Sequence, residues 1–398
     1  MRTPRYSYYR LKLLLNSIWA IPALLLMRAI RPIVEIQICR IFSERIGHFT
    51  ADVSEQICRE NFRNPRTLRL FYFGDISNVQ WERMARRSSL RVVGTWLRYL
   101  DRWNQLVPGG NAHVLLSSKT QSRDIEGLFS RFDGSISFLD EESALAEGYL
   151  RSKGWKVGEP FVCLLVRDSK FLEGHRDPSS DSYYHDYRDS EIETFIPAVE
   201  WLATQGVWVL RMGKSMARPI KVNSKLVIDY AFDSEKCDLL DIWLFANCTG
   251  VISTSSGLDQ LAMIYKRPQL YLNALPLGDL NSWTNMIWVP KNLRWRESGQ
   301  DLTISEYLDH NYYDQGSYVT AGITIINLDE SEIKEAVQEF WWKLCKVWPH
   351  NIENLDLQAR FWNILQRWPR FQEMHGIVDP RASIGSGWLS HVQVERLS

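Results

Sequence analysis

Five short apolar runs, separated by stretches of helical pattern, lie between residues 161 and 273, and each ends in polar or glycine-containing sequence. Runs of this length, rich in Val, Ile and Leu, predict buried strands of a parallel sheet. Ligands of such sheets bind beyond the carboxyl ends of the strands, so the polar endings predict a binding crevice. The five predicted strands are Phe161 to Val166, Val207 to Leu210, Leu226 to Ile228, Gly250 to Ile252 and Gln269 to Leu272.

The second run ends in a basic and glycine-containing sequence. Arg211, Gly213 and Lys214 follow it closely. An arginine or lysine at a strand end can pair with a diphosphate, and glycine lets a ligand approach the backbone. The alternative for Arg211 is a structural salt bridge to Asp229 or Asp168.

The fourth run ends in a serine-rich segment that precedes a predicted helix. Small hydroxyl residues and glycine at a helix start leave backbone N–H groups near the positive end of the helix dipole, which suits a phosphate. The segment has neither the Gly-Lys-Ser/Thr ending of a Walker loop nor a G-x-G-x-x-G pattern. Serine-rich caps also occur without any ligand. The candidate phosphate-binding residues are Ser253, Ser255, Ser256, Gly257 and Asp259.

The amino-terminal half has a less regular pattern. Strands are predicted at Leu68 to Phe73, Leu90 to Val93 and His113 to Leu116, with helical stretches between them, which indicates a second α/β domain. His48 follows a glycine near a predicted helix start. It is either a structural histidine or a general base, because the unperturbed pKa of histidine lies close to neutral pH.

The pattern divides the chain into four parts. Amphipathic, tryptophan-rich helices are predicted at Ser331 to Leu344 and Leu355 to Arg367, and a long polar loop at Lys170 to Asp189. The predicted parts are a basic arm (1–40), an amino-terminal acceptor-side domain (41–155), a carboxyl-terminal nucleotide-sugar domain (156–330), and terminal helices with a tail across the domain junction (331–398).

The amino-terminal arm is basic and apolar. Residues 1–45 contain eight Arg or Lys and two acids, a local charge of +6. The apolar stretch Leu11 to Met27 is shorter than the roughly 20 residues that a spanning helix needs, and no small-residue cleavage site follows it. The pattern predicts an interfacial helix on an anionic membrane surface. The alternative is a helix packed on the protein's own core.

Composition narrows the function classes. The 398 residues suit two domains, and Lys plus Arg equal Asp plus Glu at 47 each, so no overall basic field attracts nucleic acid. The six cysteines form no C-x-x-C pair and have no histidine at zinc-site spacing. Reduced thiols, mostly buried, in a cytosolic protein are therefore expected, with no metal site.

The polar strand endings also occur in the order seen in a known family. The set resembles a family of bacterial glycosyltransferases found among surface-polysaccharide and lipopolysaccharide genes. The matching motifs are Arg45-Ile46-Gly47-His48, Arg167-Asp168, Tyr187-Arg188-Asp189, Arg211-Met212-Gly213, and Ser255-Ser256-Gly257 with Asn273 and Pro276.

The resemblance implies an α/β fold of the GT-B type, in which two Rossmann-like domains face each other across a cleft. It implies a nucleotide sugar held mainly by the carboxyl-terminal domain, and no metal or other cofactor, which agrees with the lack of a D-x-D motif. It makes His48 the candidate of the amino-terminal domain. The site candidates that it implies in the other domain are Arg167, Asp168, Arg188, Arg211, Gly213, Ser255, Ser256 and Gly257.

The expected reaction moves a sugar from a nucleotide-diphosphate sugar to a lipid-linked or polysaccharide acceptor at the cytoplasmic face of the inner membrane. His48 or Asp168 would deprotonate the acceptor, and Arg167 and Arg211 would stabilise the leaving phosphate. Two alternatives stay open: pyruvyl transfer, phosphate-ester transfer or sugar-nucleotide epimerisation on the same fold, and a non-catalytic scaffold of a polysaccharide assembly complex.

Overall fold

A computed structural model of the chain describes residues 4–168, 186–349 and 352–391. Most of the predicted polar loop, residues 170–185, lies outside the described residues, as do the first three residues of the arm and the last seven of the tail. The chain divides into two compact units. The first unit comprises Met1–Ser122 and Leu128–Ser137, and the second comprises Arg123–Gly127 and Phe138–Ser398.

The first unit is a small α/β structure. Its two strands, β1 and β2, pair in parallel over seven residues each, and isolated parallel bridges at Val92 and Val114 extend the pairing on either side. The elements are α1 (Pro4–Ala29), β1 (Glu35–Ile41), α2 (Ile46–Glu60), β2 (Thr67–Phe73), α3 (Val79–Arg86), α4 (Leu97–Leu106) and α5 (Leu128–Arg131).

The predicted strand at Leu68 to Phe73 is confirmed in β2. The predictions at Leu90 to Val93 and His113 to Leu116 are wrong as strands, because each of these segments contributes only one bridge. Strand β1 was missed, since its sequence EIQICRI mixes polar and apolar residues at the end of a stretch interpreted as a basic arm. Its alternation of Glu, Ile, Gln and Ile is the signal of a half-buried strand.

The second unit contains a seven-stranded sheet in which every pair is parallel, in the order β11-β8-β7-β6-β3-β4-β5. A separate antiparallel pair joins β9 and β10. The strands are β3 (Phe161–Leu165), β4 (Trp208–Arg211), β5 (Val227–Ile228), β6 (Gly250–Ser253), β7 (Gln269–Leu272), β8 (Met286–Val289), β9 (Asn292–Trp295), β10 (Ile323–Ile326) and β11 (Ser383–Ile384).

The helices of the second unit complete an α/β fold. They are α6 (Asp140–Ser152), α7 (Ile196–Thr204), α8 (Asp238–Asn247), α9 (Asp259–Ile264), α10 (Ile304–Asp309), α11 (Gln315–Thr320), α12 (Glu330–Leu344), α13 (Ile352–Arg367), α14 (Phe371–Met374) and α15 (Ser386–His391).

All five predicted strands of the parallel sheet are confirmed, and with them the α/β class and the amino-terminal helix. Every residue of β3, β4, β6 and β7 is buried, which explains why these strands appear in the sequence as continuous apolar runs. The sequence analysis missed β8, β11 and the β9–β10 pair. These strands have two to four residues each and lie among tryptophan-rich segments, where no periodicity separates strand from helix.

Helix α7 begins at Ile196, after a 3₁₀ turn at Ile192–Phe195. Before that turn, the Ser190 amide donates to the Arg167 carbonyl at 3.0 Å. The helix stops before Gly206, whose φ of +77° suits glycine. The two predicted carboxyl-terminal helices are confirmed. All six cysteines are free thiols, and four of them are buried.

Candidate functional site

The strand order of the large sheet reverses between β3 and β6, since the chain proceeds to β4 and β5 on one side and to β7 and β8 on the other. The ends of these two strands are tied together. The Arg167 amide donates to Thr254 Oγ1 at 2.9 Å, and the Thr254 amide donates to the Leu165 carbonyl at 3.1 Å. This reversal is the position where ligands of open α/β sheets bind.

Two basic side chains contact Asp189 beside this position, and a third lies close to one of them. Arg167 Nε lies 3.3 Å from Asp189 Oδ1, and Lys291 Nζ donates to the Asp189 carbonyl at 2.7 Å. Arg188 lies close enough to Arg167 to lower its pKa. We call Arg167, Arg188 and Lys291 the basic cluster.

The positive charges of the basic cluster repel one another, and the side chains that carry them are largely buried. Burial lowers the pKa of Lys291 to about 8, and Arg167 contributes to the decrease. Burial and then Arg188 lower the pKa of Arg167. Asp189 offsets part of this cost for both side chains. An anionic ligand would supply the negative charge that favours all three cations.

Lys291 was not found from the sequence, although its position follows the rule that identified the others. It stands two residues after β8 and is 2% exposed. Because β8 was not recognised as a strand, the polar residue beyond its end was not treated as a site candidate. A buried lysine of lowered pKa at the ligand edge of a sheet is a candidate functional residue.

A cavity of about 270 Å³ opens over the ends of β3 and β4. Its wall includes Asp168, Asp189, Arg211 and Arg218. Both signs of charge therefore line it, and Asp189, which contacts Arg167 and Lys291, is the lining residue that it shares with the surroundings of the basic cluster. Asp168 also has a structural contact, because its Oδ2 accepts from the Ala217 amide at 2.7 Å and holds the segment after β4.

Arg211 has the surroundings of a structural residue. Its side chain is 1% exposed, and Nη1 donates to the Arg218 carbonyl and lies 3.5 Å from Asp229 Oδ1. The guanidinium also lies over the Phe232 ring, 5.5 Å from its centroid. The salt-bridge alternative from the sequence analysis is the arrangement observed. Contact of Arg211 with a ligand stays a prediction.

The two residues beyond Arg211 differ in their surroundings. A Cβ atom at Gly213 would lie 2.5 Å from Met216 Sδ, so a larger residue here would displace the side chain of that methionine. Lys214 is exposed. Neither observation brings these two residues into the basic cluster, and their predicted role in donor binding stays a prediction.

The serine-rich segment after β6 forms hydrogen bonds to a carboxylate of the same segment, that of Asp259. Asp259 Oδ2 accepts from Ser253 Oγ at 2.8 Å and from the Ser256 amide at 2.6 Å. Burial raises the pKa of Asp259 to about 7, although these two hydrogen bonds lower it. The sequence predicted that the Ser256 amide faces a phosphate. In the structure this amide already donates a hydrogen bond to Asp259. Helix α9 has only six residues, which limits its dipole.

Ser255 and Gly257 are the members of that segment that lie nearer the solvent. Ser255 is half-buried and adopts a φ of +66°, and Gly257 is exposed. Left-handed backbone is uncommon for serine and costs energy, which the surrounding segment must offset. Their contact with a ligand stays a prediction.

His48 lies in the first turn of α2, in the first unit. Its Nδ1 is 2.7 Å from Ser122 Oγ, and its ring meets the edge of Phe42 at a centroid distance of 5.2 Å. Burial and then Arg45 lower its pKa from the ordinary value. The imidazole is therefore neutral at pH 7 and able to accept a proton.

Helix α1 has one face on the protein and one apolar face in solvent. Ala20, Leu24 and Met27 are buried and cluster with Leu97 and Leu100 of α4. Among the described residues, no helix is both long enough and apolar enough to cross a membrane. The exposed apolar side chains follow helical spacing and are Leu14, Leu15, Ile18, Ile21, Leu25 and Leu26.

No group of three His, Cys, Asp or Glu side chains that could hold a metal ion occurs within residues 4–168, 186–349 and 352–391. The basic cluster is the charged group at the strand reversal, and its chemistry suits an anion. The expectation of metal-independent chemistry stays a prediction.

No family model matches the chain, and no curated protein matches it in sequence. Among solved structures, it is similar to a family 9 glycosyl transferase from Veillonella parvula, with a TM-score of 0.42, 10% identity, and coverage of 64% of this chain and 86% of the other. It is also similar to the E. coli ADP-heptose lipopolysaccharide heptosyltransferase II, with a TM-score of 0.39, 11% identity, and coverage of 61% and 86%.

A third similar structure is the dodecameric iron-containing heptosyltransferase TibC in complex with ADP-D-beta-D-heptose, with a TM-score of 0.37, 10% identity, and coverage of 80% of this chain and 78% of the other. At such low identities and TM-scores, these likenesses assign neither a substrate nor an activity to this chain.

Proposed function

We propose that this protein is a glycosyltransferase that moves a sugar from a nucleotide-diphosphate sugar to a lipid-linked or polysaccharide acceptor in bacterial surface glycan synthesis. The observation that carries the proposal is the basic cluster at the strand reversal of a parallel α/β sheet. The ordered motifs in the sequence, which resemble those of bacterial glycosyltransferases, support the same reaction class.

The basic cluster fits the leaving group of this reaction. When the bond between the sugar and the diphosphate breaks, negative charge develops on the phosphate oxygens. Arg167, Arg188 and Lys291 supply cations within a partly buried region, where an electrostatic interaction is stronger than in water. We assign stabilisation of the leaving diphosphate to these side chains and propose no metal cofactor.

The donor proposal is tested with nucleoside diphosphates. Purified protein is heated with ADP, UDP, GDP or CDP, and with the matching nucleosides as uncharged controls. A ligand that binds the folded protein raises the melting temperature, by an amount that increases with the logarithm of its concentration relative to Kd. At least one diphosphate should raise it while its nucleoside does not. An equal response to every nucleoside and diphosphate would contradict a site built for the diphosphate.

The reaction class is tested by product analysis with the nucleotide sugar whose diphosphate binds. A glycosyltransferase releases the nucleoside diphosphate and transfers the sugar to an acceptor, which gains the mass of the sugar. An epimerase leaves the mass of the donor unchanged. A protein that binds the donor but forms neither product would fit the scaffold alternative.

The acceptor proposal depends on α1. Its exposed apolar face is accompanied by exposed basic side chains at Arg31, Arg98 and Arg102, and the described part of α1 contains no acidic residue. Apolar side chains entering the acyl boundary with basic side chains beside them match the charge pattern of an anionic lipid surface. We propose that this face holds the protein on the cytoplasmic side of the inner membrane, where lipid-linked acceptors lie.

The membrane proposal is tested with Ile18→Asp, which places a charge on a side chain that is 77% exposed. The matched control is Leu145→Asp, which changes a side chain 68% exposed on α6. Sedimentation with vesicles containing phosphatidylglycerol should be lost for Ile18→Asp and kept for Leu145→Asp. Vesicles of phosphatidylcholine alone should bind less of the unchanged protein. Equal sedimentation of the two variants would overturn the membrane assignment.

A further inference from the structure

One serine side chain links His48 to a buried carboxylate in the first unit. His48 and Asp52 lie one turn apart on the same face of α2. Ser122 Oγ lies 2.7 Å from His48 Nδ1 and also 2.7 Å from Asp52 Oδ1. The serine therefore stands between the imidazole and the carboxylate.

The direction of these hydrogen bonds follows from the number of protons available. An ionised carboxylate only accepts, so Ser122 donates its single hydroxyl proton to Asp52. Its oxygen can then only accept from His48, which requires a proton on Nδ1. A neutral imidazole with a proton on Nδ1 has its lone pair on Nε2.

A second serine supports the same arrangement. Ser117 Oγ donates to Asp52 Oδ2 and accepts from the Phe42 amide at 3.2 Å. Each carboxylate oxygen thus receives one serine hydroxyl, and each serine has its proton committed to Asp52. Neither serine can reverse its hydrogen bond without leaving a carboxylate oxygen of a 2% exposed side chain without that donor.

We propose that Asp52 and Ser122 are positioning residues that hold His48 in the neutral tautomer protonated on Nδ1, with Nε2 free to accept a proton. The inference rests on the proposed function, because it is transfer to an acceptor hydroxyl that gives His48 a proton to remove. Asp52 and Ser122 act through His48 and do not touch the substrate.

The charges around the three side chains agree with this assignment. Burial raises the pKa of Asp52 to about 6, so the carboxylate is ionised at neutral pH. Arg45 faces His48 and contributes to its lowered pKa, and Glu55 faces Asp52 and contributes to its raised pKa. Glu55 is itself paired with Arg59, at 2.7 Å.

The segment that carries the two serines is held against α2 by further hydrogen bonds. Gln56 Nε2 donates to the carbonyl oxygens of Leu116 and Ser117, at 3.2 and 2.9 Å. The Ser122 amide donates to Ser118 Oγ at 2.9 Å, and Ser122 itself has a φ of +65°. A residue kept in this uncommon conformation is one that its surroundings determine strongly.

The proton and electron balance of the step is complete. The acceptor hydroxyl loses its proton to His48 Nε2 as its oxygen forms a bond to the anomeric carbon. The bond from that carbon to the phosphate oxygen breaks, and the diphosphate leaves with the electron pair. His48 becomes an imidazolium whose Nδ1–H is hydrogen-bonded to Ser122, and the negative charge of Asp52 stabilises it through the serine.

The test measures the tautomer of His48 directly. Long-range ¹H–¹⁵N correlation spectra of protein labelled with ¹⁵N-histidine distinguish the protonated ring nitrogen from the bare one. His48→Gln identifies the signal among the eight histidines. The unchanged protein should show the proton on Nδ1 of His48. A proton on Nε2 in the unchanged protein would overturn the inference, whatever the activity.

The variant Ser122→Ala sharpens the test, with the exposed serine change Ser137→Ala as its control. Ser122→Ala should shift the His48 tautomer toward Nε2–H and lower kcat about 100-fold, with KM for the donor unchanged. Ser137→Ala should change neither. An unchanged tautomer in Ser122→Ala would refute the role of Ser122. The predicted tautomers together with no sugar transfer to any acceptor would instead refute the proposed function and leave the inference standing.

Discussion

The serine-rich segment after β6 and the basic cluster lie at the same edge of one sheet. They differ in the groups that surround their charged side chains. In the segment, Asp259 is buried and receives hydrogen bonds from Ser253 and Ser256. In the cluster, burial lowers the pKa of both Arg167 and Lys291, and a neighbouring cation lowers each further, Arg188 for Arg167 and Arg167 for Lys291. A buried carboxylate that already occupies donors of its own segment leaves those donors unable to bind an anion, whereas a group of cations that repel one another is stabilised by one.

The comparison favours the basic cluster as the diphosphate site. Sequence pattern alone predicted a site formed by the serine-rich segment, Arg211 and Arg167, because glycine, serine and arginine at strand ends suit phosphate. The geometry gives Arg211 an internal partner in Asp229 and gives the segment an internal carboxylate. The predictions below test this difference, from the largest expected effect to the smallest.

Arg211→Ala should destabilise the protein without weakening donor binding. It removes a buried cation from Asp229 and from the Arg218 carbonyl, so the free energy of unfolding should fall by about 3 kcal/mol. Urea unfolding measures the loss, and isothermal titration with the nucleoside diphosphate measures affinity. A variant of normal stability with much weaker binding would return Arg211 to the ligand site.

Lys291→Met should weaken binding of the donor diphosphate without the loss of stability expected for Arg211→Ala. It keeps much of the side-chain volume and removes one cation from the basic cluster. A hydrogen bond from a charged donor contributes about 2 kcal/mol, so Kd for the diphosphate should rise about 30-fold. Titration calorimetry is the measurement, and Lys221→Met, at an exposed lysine, is the matched control. Equal affinity of the two variants would exclude Lys291 from the site.

Asp259→Asn should change how stability depends on pH. Burial raises the folded-state pKa of Asp259 to about 7, above the ordinary value of 3.8. The folded protein then holds a proton that the unfolded chain has lost, so this group lowers stability as pH rises from about 4 to 7, by up to about 1.4 kcal/mol per pH unit.

The measurement for Asp259→Asn is urea unfolding of both proteins at several pH values between 4 and 8. Asparagine keeps the acceptor oxygen for Ser253 and Ser256 but does not titrate. The difference in unfolding free energy between the two proteins should therefore grow in favour of the variant as pH rises. A difference that is constant across this range would show that Asp259 does not carry a raised pKa.

Ser255→Ala should have the smallest effect. If the serine-rich segment is satisfied internally, loss of this hydroxyl should change Kd for the diphosphate by less than about threefold, which corresponds to about 0.6 kcal/mol. The same calorimetric titration applies. A tenfold loss would place the ligand on this segment after all and would remove the contrast with the basic cluster.

The parallel sheet was predictable because its signal is local. Buried parallel strands are apolar on both faces, so Phe161 to Val166 and Gln269 to Leu272 stand out as continuous runs. Strand β8 has the same burial, but its four residues, Met286–Val289, lie among other apolar and aromatic residues that blur its limits. Missing β8 removed Lys291 from the set of candidates.

The sequence allowed us to predict which residues follow the strand ends. It did not allow us to predict which atoms their side chains contact. The polar residues after β3 and β6 do meet at the strand reversal, as the topology requires. Whether a given side chain turns to a ligand or to a neighbour depends on which acceptor lies nearest. For Arg211 the nearest acceptors are a backbone carbonyl and Asp229. The i, i+4 spacing of His48 and Asp52 was a visible signal that the sequence analysis did not use.

The sequence by itself determined five of the seven strands of the large sheet, the apolar stripe of α1 and the placement of polar residues at strand ends, because hydrophobic periodicity is a property of neighbouring residues. Tertiary structure decided the partners. Ser122 reaches His48 across 74 positions, and Lys291 reaches Asp189 across 102. Contacts of that range depend on how whole elements pack, and only packing shows whether a buried charge is satisfied within the protein or can bind an anion.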